Sequence, residues 1–513
     1  MNNFMYRNTN TNTTKSAYVL LLMFSLVTAL IFVFSHLNDR ITIGNGLGFD
    51  GQTYGYYVKE NISKNINAYY AHRILPSLVI KYFFQIFHII PSDKNIVEAF
   101  NVLNLILLFS SIILVFKTCM FLQMQLEQLY FTFTLVFFNY FTLKMTPFYP
   151  VLTDYFAFFL STLIIYAYVS NNIILGIIGV IAGFFTFPTL APVSFVLWFI
   201  GKREKESNNK VLIIFSNWIK NEKIIFFSIF LFVLIYFGIV FFYVLFKEIK
   251  GDEPFFSNME PLNKSYAIFT AIVTAFLLFF AVYYLFKYID FDRIIRILKI
   301  NFVISLVTII LIIVMEIFLT IFVINKQLKS PTDLRNFMAV VIVQSFQKPF
   351  LSVISHVWNW GLVVVLGIIY YKKNLQRALN LGLGFLFVIS IHIPLLLLIS
   401  ETRLLIVLLP MLAILISLNI DKHILKNKKF LAVHTLICLV FSRFWITFDD
   451  LMTTYSNLHT RFDSWYFNMG GPWTTEKGYL TIMPIALLLF VIYWFLIKKV
   501  FSKNENPRSQ ALS

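Results

Sequence analysis

Four stretches of the chain hold the residue types that can do chemistry. In Gly48-Phe49-Asp50-Gly51-Gln52-Thr53-Tyr54-Gly55-Tyr56-Tyr57 a carboxylate stands between glycines that let backbone approach a ligand closely, and it can act as general base toward a hydroxyl. Ala71-His72-Arg73-Ile74-Leu75-Pro76 follows, and the planar fork of Arg73 suits a phosphate or pyrophosphate. The plainer roles are a capped turn for Asp50 and a snorkelling side chain for Arg73. Ser400-Glu401-Thr402-Arg403 sets an acid and a base in a short turn between two apolar runs, where charge is costly and therefore suggests function. Arg403 can hold a phosphate with Glu401 orienting it, or the two can simply pair and pin the turn. Thr153-Asp154 stands at the head of an apolar run from Tyr155, where an Asp can also cap the helix and suit its positive end. With 48–57 and 71–76 taken together as one loop, the fourth stretch contains His459, Arg461, Asp463, Trp465 and Gly470-Gly471-Pro472-Trp473. Its aromatics can stack on a sugar ring or serve as interfacial anchors.

These residues are positioned by an apolar frame. Of the 513 residues 59% are hydrophobic and 13% charged, about half the charged fraction of a soluble domain. Repeated apolar runs of about 20 residues match a hydrocarbon core of about 30 Å, and in lipid such runs must be helices. The alternating pattern of a membrane β-barrel is absent. The expected fold class is an all-α polytopic membrane protein with about 13–14 transmembrane helices. The net charge of +17 does not point to nucleic acid, because the basic residues sit in short loops between apolar runs, as orientation signals do. Cys119 and Cys438 give neither a disulfide framework nor a thiolate metal site. The polar tail 1–16 leads into an apolar run from Ala17 to about Ser35, which reads as an uncleaved first helix.

Spans are expected near 17–36, 96–116, 127–143, 155–170, 224–246, 266–288, 301–324, 351–371, 380–400, 403–419, 430–447 and 479–498. Residues 74–91 carry Lys81, Gln85 and His88 at helical spacing, which suits a helix lying on the membrane as well as one crossing it. Residues 172–199 are long for one span and are broken by Pro188 and Pro192. Basic clusters at 202–223, 293–299, 372–377, 422–429 and 498–503 can all face the cytoplasm, which puts 37–73, 247–265, 325–350, 400–403 and 448–478 outside. Asp154 is outside only if 74–91 lies flat and 172–199 is two short helices. No His, Asp or Glu set has metal-ligand spacing, and His356 and His392 lie on apolar faces.

Phe49-Asp50-Gly51-Gln52 with Tyr54 and Tyr57, then His72-Arg73-Ile74-Leu75-Pro76, resembles the first loop of bacterial GT-C superfamily glycosyltransferases. Tyr149-Pro150-Val151-Leu152-Thr153-Asp154-Tyr155 resembles that family's second acidic position. The resemblance implies a GT-C-like module over 17–245 with external loop 37–95 bearing amphipathic helices, and a variable module over 246–500, between the cytoplasmic tails 1–16 and 501–513. It implies transfer of a sugar from a polyprenyl-phosphate carrier to a glycan, lipid or protein acceptor at the extracytoplasmic face of a bacterial inner membrane. On that resemblance Asp50 and Asp154 are catalytic, and His72, Arg73 and Arg403 hold the donor phosphate. Gln52, Tyr54, Tyr57, Glu401 and Trp473 contact substrate. A divalent cation, Mg2+ or Mn2+, at Asp50 and Asp154 is also within the pattern, since some members use one. The oligosaccharyltransferase tryptophan-rich signature is not found.

The competing class is a transporter or flippase of lipid-linked saccharides, which would place charge near the midplane on broken helices in related halves. Glu316 is the clearest deep charge in the sequence, and no halves match. A polymerase of lipid-linked oligosaccharides differs from the first reading only in donor length.

Overall fold

The computed structural model describes residues 11–60, 66–187, 189–199, 226, 228–236, 238, 264–289, 302–324, 345, 347–448, 468, 470, 471, 474 and 476–504. Basic residues 202–223 and 293–299, and His459, Arg461, Asp463, Trp465, Pro472 and Trp473, lie outside the described residues. Among the described residues every regular element is helical, with one isolated bridge between Ile66 and Ile324.

The first half runs α1 (Thr11–Asn38), α2 (Phe49–Lys59), α3 (Leu75–Ile86), α4 (Asp93–Phe121), α5 (Leu126–Phe137), α6 (Asp154–Ser170), α7 (Ile173–Phe184) and α8 (Leu190–Phe199). The second half contains α9 (Lys264–Tyr288), α10 (Phe302–Phe318), α11 (Leu351–Trp360), α12 (Leu362–Ile369), α13 (Tyr371–Leu381), α14 (Leu383–Leu398), α15 (Leu408–Asn419), α16 (Lys428–Ser442) and α17 (Glu476–Asn504). Among the described residues five segments are long and apolar enough to cross a membrane: Thr14–Asn38, Asp93–Phe121, Ala267–Tyr288, Leu306–Val323 and Glu476–Ile497. Their outer faces are bare hydrocarbon; Leu22, Leu26, Leu30 and Leu37 of α1 are all more than half exposed. Such a face is stable only against lipid.

Several expected spans are interrupted. The run 127–143 ends as helix at Phe137 and passes into a wider turn over Phe141–Met145. The run 351–371 breaks at Gly361, and 403–419 begins as a tight turn over Thr402–Leu405 before α15. Residues 172–199 form two helices, α7 and α8. Gly179 lets α7 close on Ile164 of α6, while Gly176 and Gly183 admit Trp198 and Leu190 of α8, the small-residue packing that joins helices without a polar drive. Residues 74–91 hold only the 12-residue α3, about 18 Å long and too short to cross. It packs along α2 and turns Tyr82, Phe83, Ile86 and Phe87 outward.

The core is aromatic: Phe24 of α1 stacks on Phe138 at 4.7 Å, and Phe131, Phe133, Phe137, Tyr155 and Phe158 are buried around it. Where α1 leaves the core, Asp39 takes a hydrogen bond from Lys144 at 2.6 Å and another from the Phe448 backbone N–H at 2.7 Å. Lys144 is fully buried, 4.3 Å from the Phe448 ring centre. This pair and the Arg40–Glu98 and Lys59–Asp93 ion pairs tie the first loop to the bundle.

Candidate functional site

The site is built from α2 outward. Asp50, Tyr54 and Tyr57 recur at i, i+4 and i+7 and therefore share one helical face. The start of α2 is seated on the Tyr149–Val151 segment. Gly48 has φ +72°, and a Cβ there would stand 2.3 Å from the Tyr149 ring; the Gly51 N–H donates to the Tyr149 hydroxyl at 3.0 Å. The segment that leads into Asp154 thus carries the helix whose first turn holds Asp50.

The facing wall is the turn from Asn67 to Arg73. Asn67 caps it by accepting from the Tyr70 N–H at 3.1 Å. Its Tyr70 hydroxyl donates to Asp50 Oδ1 at 3.3 Å. Burial pushes the Tyr69 and Tyr70 phenols upward, aided by the Asp50 charge, so both stay protonated and able to donate. Arg73 is buried, its guanidinium 4.3 Å from the Tyr69 ring centre and 4.5 Å from that of Phe187, and its Nε has no hydrogen-bond partner. Burial opposes the Arg73 charge, but the neighbouring Tyr69, Tyr54 and Asp154 outweigh it and hold its pKa above the ordinary value. Phe187 comes from the α7–α8 turn, where Phe185 O also accepts from the Leu75 N–H at 2.9 Å. That turn is therefore on the same face as the first loop.

The third contribution is the Ser400–Leu405 turn. Arg403 donates through Nε to Glu401 Oε1, and its Nη1 stands 3.5 Å from Asp50 Oδ2. Asp154, at the start of α6, is 2% exposed and neither carboxylate oxygen has a hydrogen-bond partner. Its strongest charged neighbours are Arg403 and Arg73, then Glu401 and Asp50. Gly471 packs against Ser400 O, and its N–H donates to Ser355 Oγ at 3.1 Å, so the last loop also reaches this turn.

Asp50, Arg73, Asp154, Glu401, Arg403 and Tyr54 therefore converge. Asp50 does not cap a turn, Arg73 does not snorkel, and Thr153 makes no side-chain capping bond. His72 and Gln52 stand apart from the cluster. His72 bonds Ala68 O at 2.7 Å and Glu316 Oε2 at 2.9 Å, fastening the loop to α10. Gln52 is exposed and lies over Gly44. Tyr57 is buried with Ile66 and Leu319 and supports Tyr70 edge-on at 6.5 Å. Trp473 lies outside the described residues. Sequence reasoning missed Tyr69, Tyr70 and Phe187; tyrosines in a loop gave no signal beyond that of an interfacial belt.

Asp50 and Asp154 are of the class that binds hard divalent cations; Asp50 is bonded by Tyr70 and faced by Arg403, and the charged groups that act most strongly on Asp154 are Arg403 and Arg73. Among the described residues no three His, Cys, Asp or Glu side chains gather as a ligand set.

Comparison with protein-family models, curated proteins and solved structures finds no match to this chain.

Proposed function

We propose that this protein is a membrane glycosyltransferase of the GT-C kind, with about 13–14 spans. It moves a sugar from a polyprenyl-phosphate donor to a glycan, lipid or protein acceptor at the extracytoplasmic face of a bacterial inner membrane. The observation that carries this is the meeting of Asp50, Arg73, Asp154 and Arg403 from three distant stretches at one end of the bundle.

Exposure divides the two carboxylates. The Asp50 side chain is 26% exposed and can reach an incoming hydroxyl, whereas Asp154 is shut in. Asp50 accepts the acceptor's proton as its O–H bond breaks. The oxygen attacks the anomeric carbon, its new C–O bond forming opposite the departing phosphate oxygen, so configuration inverts. The anomeric C–O bond breaks and polyprenyl phosphate leaves with the electron pair. Arg403 and Arg73 face the charge that develops on it, in a site where such stabilisation is strong. Asp154 orients the two arginines, and Tyr70 holds Asp50.

Glu316, the residue on which the transporter reading rests, pairs with His72 of the first loop. The deciding experiment is glycan transfer by Asp50→Asn in protein that keeps its fold. Loss of transfer with retained carrier binding is expected; undiminished transfer ends the base assignment.

A further inference from the structure

The first loop is fastened to α10 by a contact that no step of transfer uses. His72 Nδ1 stands 2.7 Å from Ala68 O, and Nε2 stands 2.9 Å from Glu316 Oε2. A carbonyl oxygen only accepts, so Nδ1 carries hydrogen and donates to Ala68. Nε2 then holds either a hydrogen or a lone pair. With a hydrogen it donates to the Glu316 carboxylate; with a lone pair it accepts only from a protonated Glu316. The contact therefore needs one proton held between the two residues. Without it, a lone pair faces a carboxylate.

The surroundings leave the pair to itself. The helices α7, α8 and α10 and the wide turn Leu319–Val323 pack around this joint. Across residues 173–184, 190–199 and 302–323, Glu316 is the single titratable side chain. On the α7 side His72 meets the edge of the Phe184 ring at 5.1 Å. On its own turn, Arg73 lies between Tyr69 and Phe187, and the Tyr70 hydroxyl donates to Asp50. From α2 comes Tyr57, whose phenol burial pushes upward and so keeps neutral. From α3 comes Leu78, and the one cation of that helix, Lys81, donates to Glu60 O.

The joint is also lightly made. Ile66, Ala71, Phe184, Met315 and Leu319 belong to a small apolar cluster apart from the main core. An isolated bridge between Ile66 and Ile324 adds to it. The opposite face of α10 is bare, with Ile313, Ile317 and Ile321 exposed. Directly after Glu316 the helix widens over Leu319–Val323, a geometry that recurs at functional positions. Segments held by few buried contacts open at low cost. The His72 side chain is 19% exposed and that of Glu316 49%, so a proton reaches the pair from outside the fold.

We propose that His72 and Glu316 form a proton-held latch between the first loop and α10, closed while the pair carries its proton and released when that proton passes to water. The sign follows from the bonding. Protonated, Nε2–H donates to the carboxylate; a second proton on Glu316 leaves its carbonyl oxygen to accept, so acid does not open the latch. The closed state is present at low pH and is lost as pH rises. Arg73 follows His72 directly, so release frees the wall of the candidate site that carries Tyr69, Tyr70 and Arg73. The latch stands whether or not that site transfers sugar.

The test uses the full-length protein in detergent and two variants at the half-exposed position, Glu316→Gln and Glu316→Leu, whose melting is first compared with the parent. A glutamine amide donates to the lone pair of a neutral His72 and its carbonyl accepts from a charged one, so Glu316→Gln keeps the latch closed at every pH. Leucine removes it at every pH. Hydrogen–deuterium exchange of residues 66–74 is followed from about pH 5 to about pH 9, which brackets the ordinary titration of imidazoles. Comparison of the three proteins at each pH cancels the intrinsic pH dependence of exchange. Expected is a parent that matches Glu316→Gln at low pH and departs from it by about tenfold faster exchange as pH rises, approaching Glu316→Leu. A parent that keeps a constant ratio to Glu316→Gln across the range overturns the latch. So does Glu316→Leu exchanging as slowly as Glu316→Gln, because the contact then holds nothing. A pH response that persists in Glu316→Leu overturns it as well, by placing the titrating group elsewhere. Sugar transfer is not the readout, so failure of the transfer reading leaves this result unchanged.

Discussion

Arg403 Nη1 lies 3.5 Å from Asp50 Oδ2 although 353 positions separate them in the sequence. The same guanidinium bonds Glu401 through Nε, so one planar group joins the last third of the chain to its first loop. Lysine offers a point charge and cannot make that two-sided contact. Arg403→Lys is expected to lower turnover by about 10²–10³-fold, the scale of losing a preorganised charge stabiliser, with a small change in Tm. Turnover and Tm measured on the same preparation check this; an unchanged turnover removes Arg403 from the chemistry.

Asp154 is buried with both oxygens unbonded, an arrangement that costs stability and persists at functional sites. Asp154→Asn removes the buried charge while keeping the shape. The expected outcome is an equal or higher Tm together with a fall in transfer of about 10²-fold or more, the scale of a single electrostatic group. A fall in Tm with transfer intact identifies Asp154 as structural.

Gly48 has no room for a side chain and sits at φ +72°. Gly48→Ala must move α2 away from Tyr149 and is expected to destabilise the fold by roughly 1–3 kcal/mol. Gly55→Ala is the milder comparison, because the nearest atoms to its added carbon are those of the Leu47 side chain, at 3.0 Å. Thermal melting of both variants separates them; equal effects would show that the seat on Tyr149 does not matter.

Asp39 and Lys144 form a buried pair, and breaking such a pair leaves an uncompensated charge at a cost of about 3–5 kcal/mol. Lys144→Met alone is expected to destabilise on that scale. Adding Asp39→Leu is expected to recover much of the loss, reduced by the Phe448 N–H that Asp39 also accepts. A double variant as unstable as the single one contradicts this.

If Arg403 and Arg73 carry the charge stabilisation as proposed, transfer is expected to be unchanged by EDTA and unchanged by added Mg2+ or Mn2+. Initial rates with and without chelator test it directly.

The membrane frame and the four charged positions were legible from apolar runs and from charges placed at their ends. Helix length was not, because hydropathy reports composition and cannot see the backbone break at Gly361 or the wide turn after Phe137. The role of His72 was not legible either. It adjoins Arg73, but the 71–74 turn sends His72 to Glu316 and Arg73 between Tyr69 and Phe187.

The helix α7, of 12 residues and capped at both ends, has a further consequence. At about 1.5 Å per residue it measures about 18 Å, against about 30 Å of hydrocarbon. Ile173, Ile174, Ile178 and Ile181 on α7 nonetheless face outward. Lipid meeting this hairpin must thin locally to match it. The pinch draws the headgroup plane down toward the α7–α8 turn, where Phe187 covers Arg73. On the proposed glycosyl-transfer function, a carrier diffusing in the bilayer would meet Arg73 at a dimple in the membrane, and rates should fall as the surrounding acyl chains are lengthened.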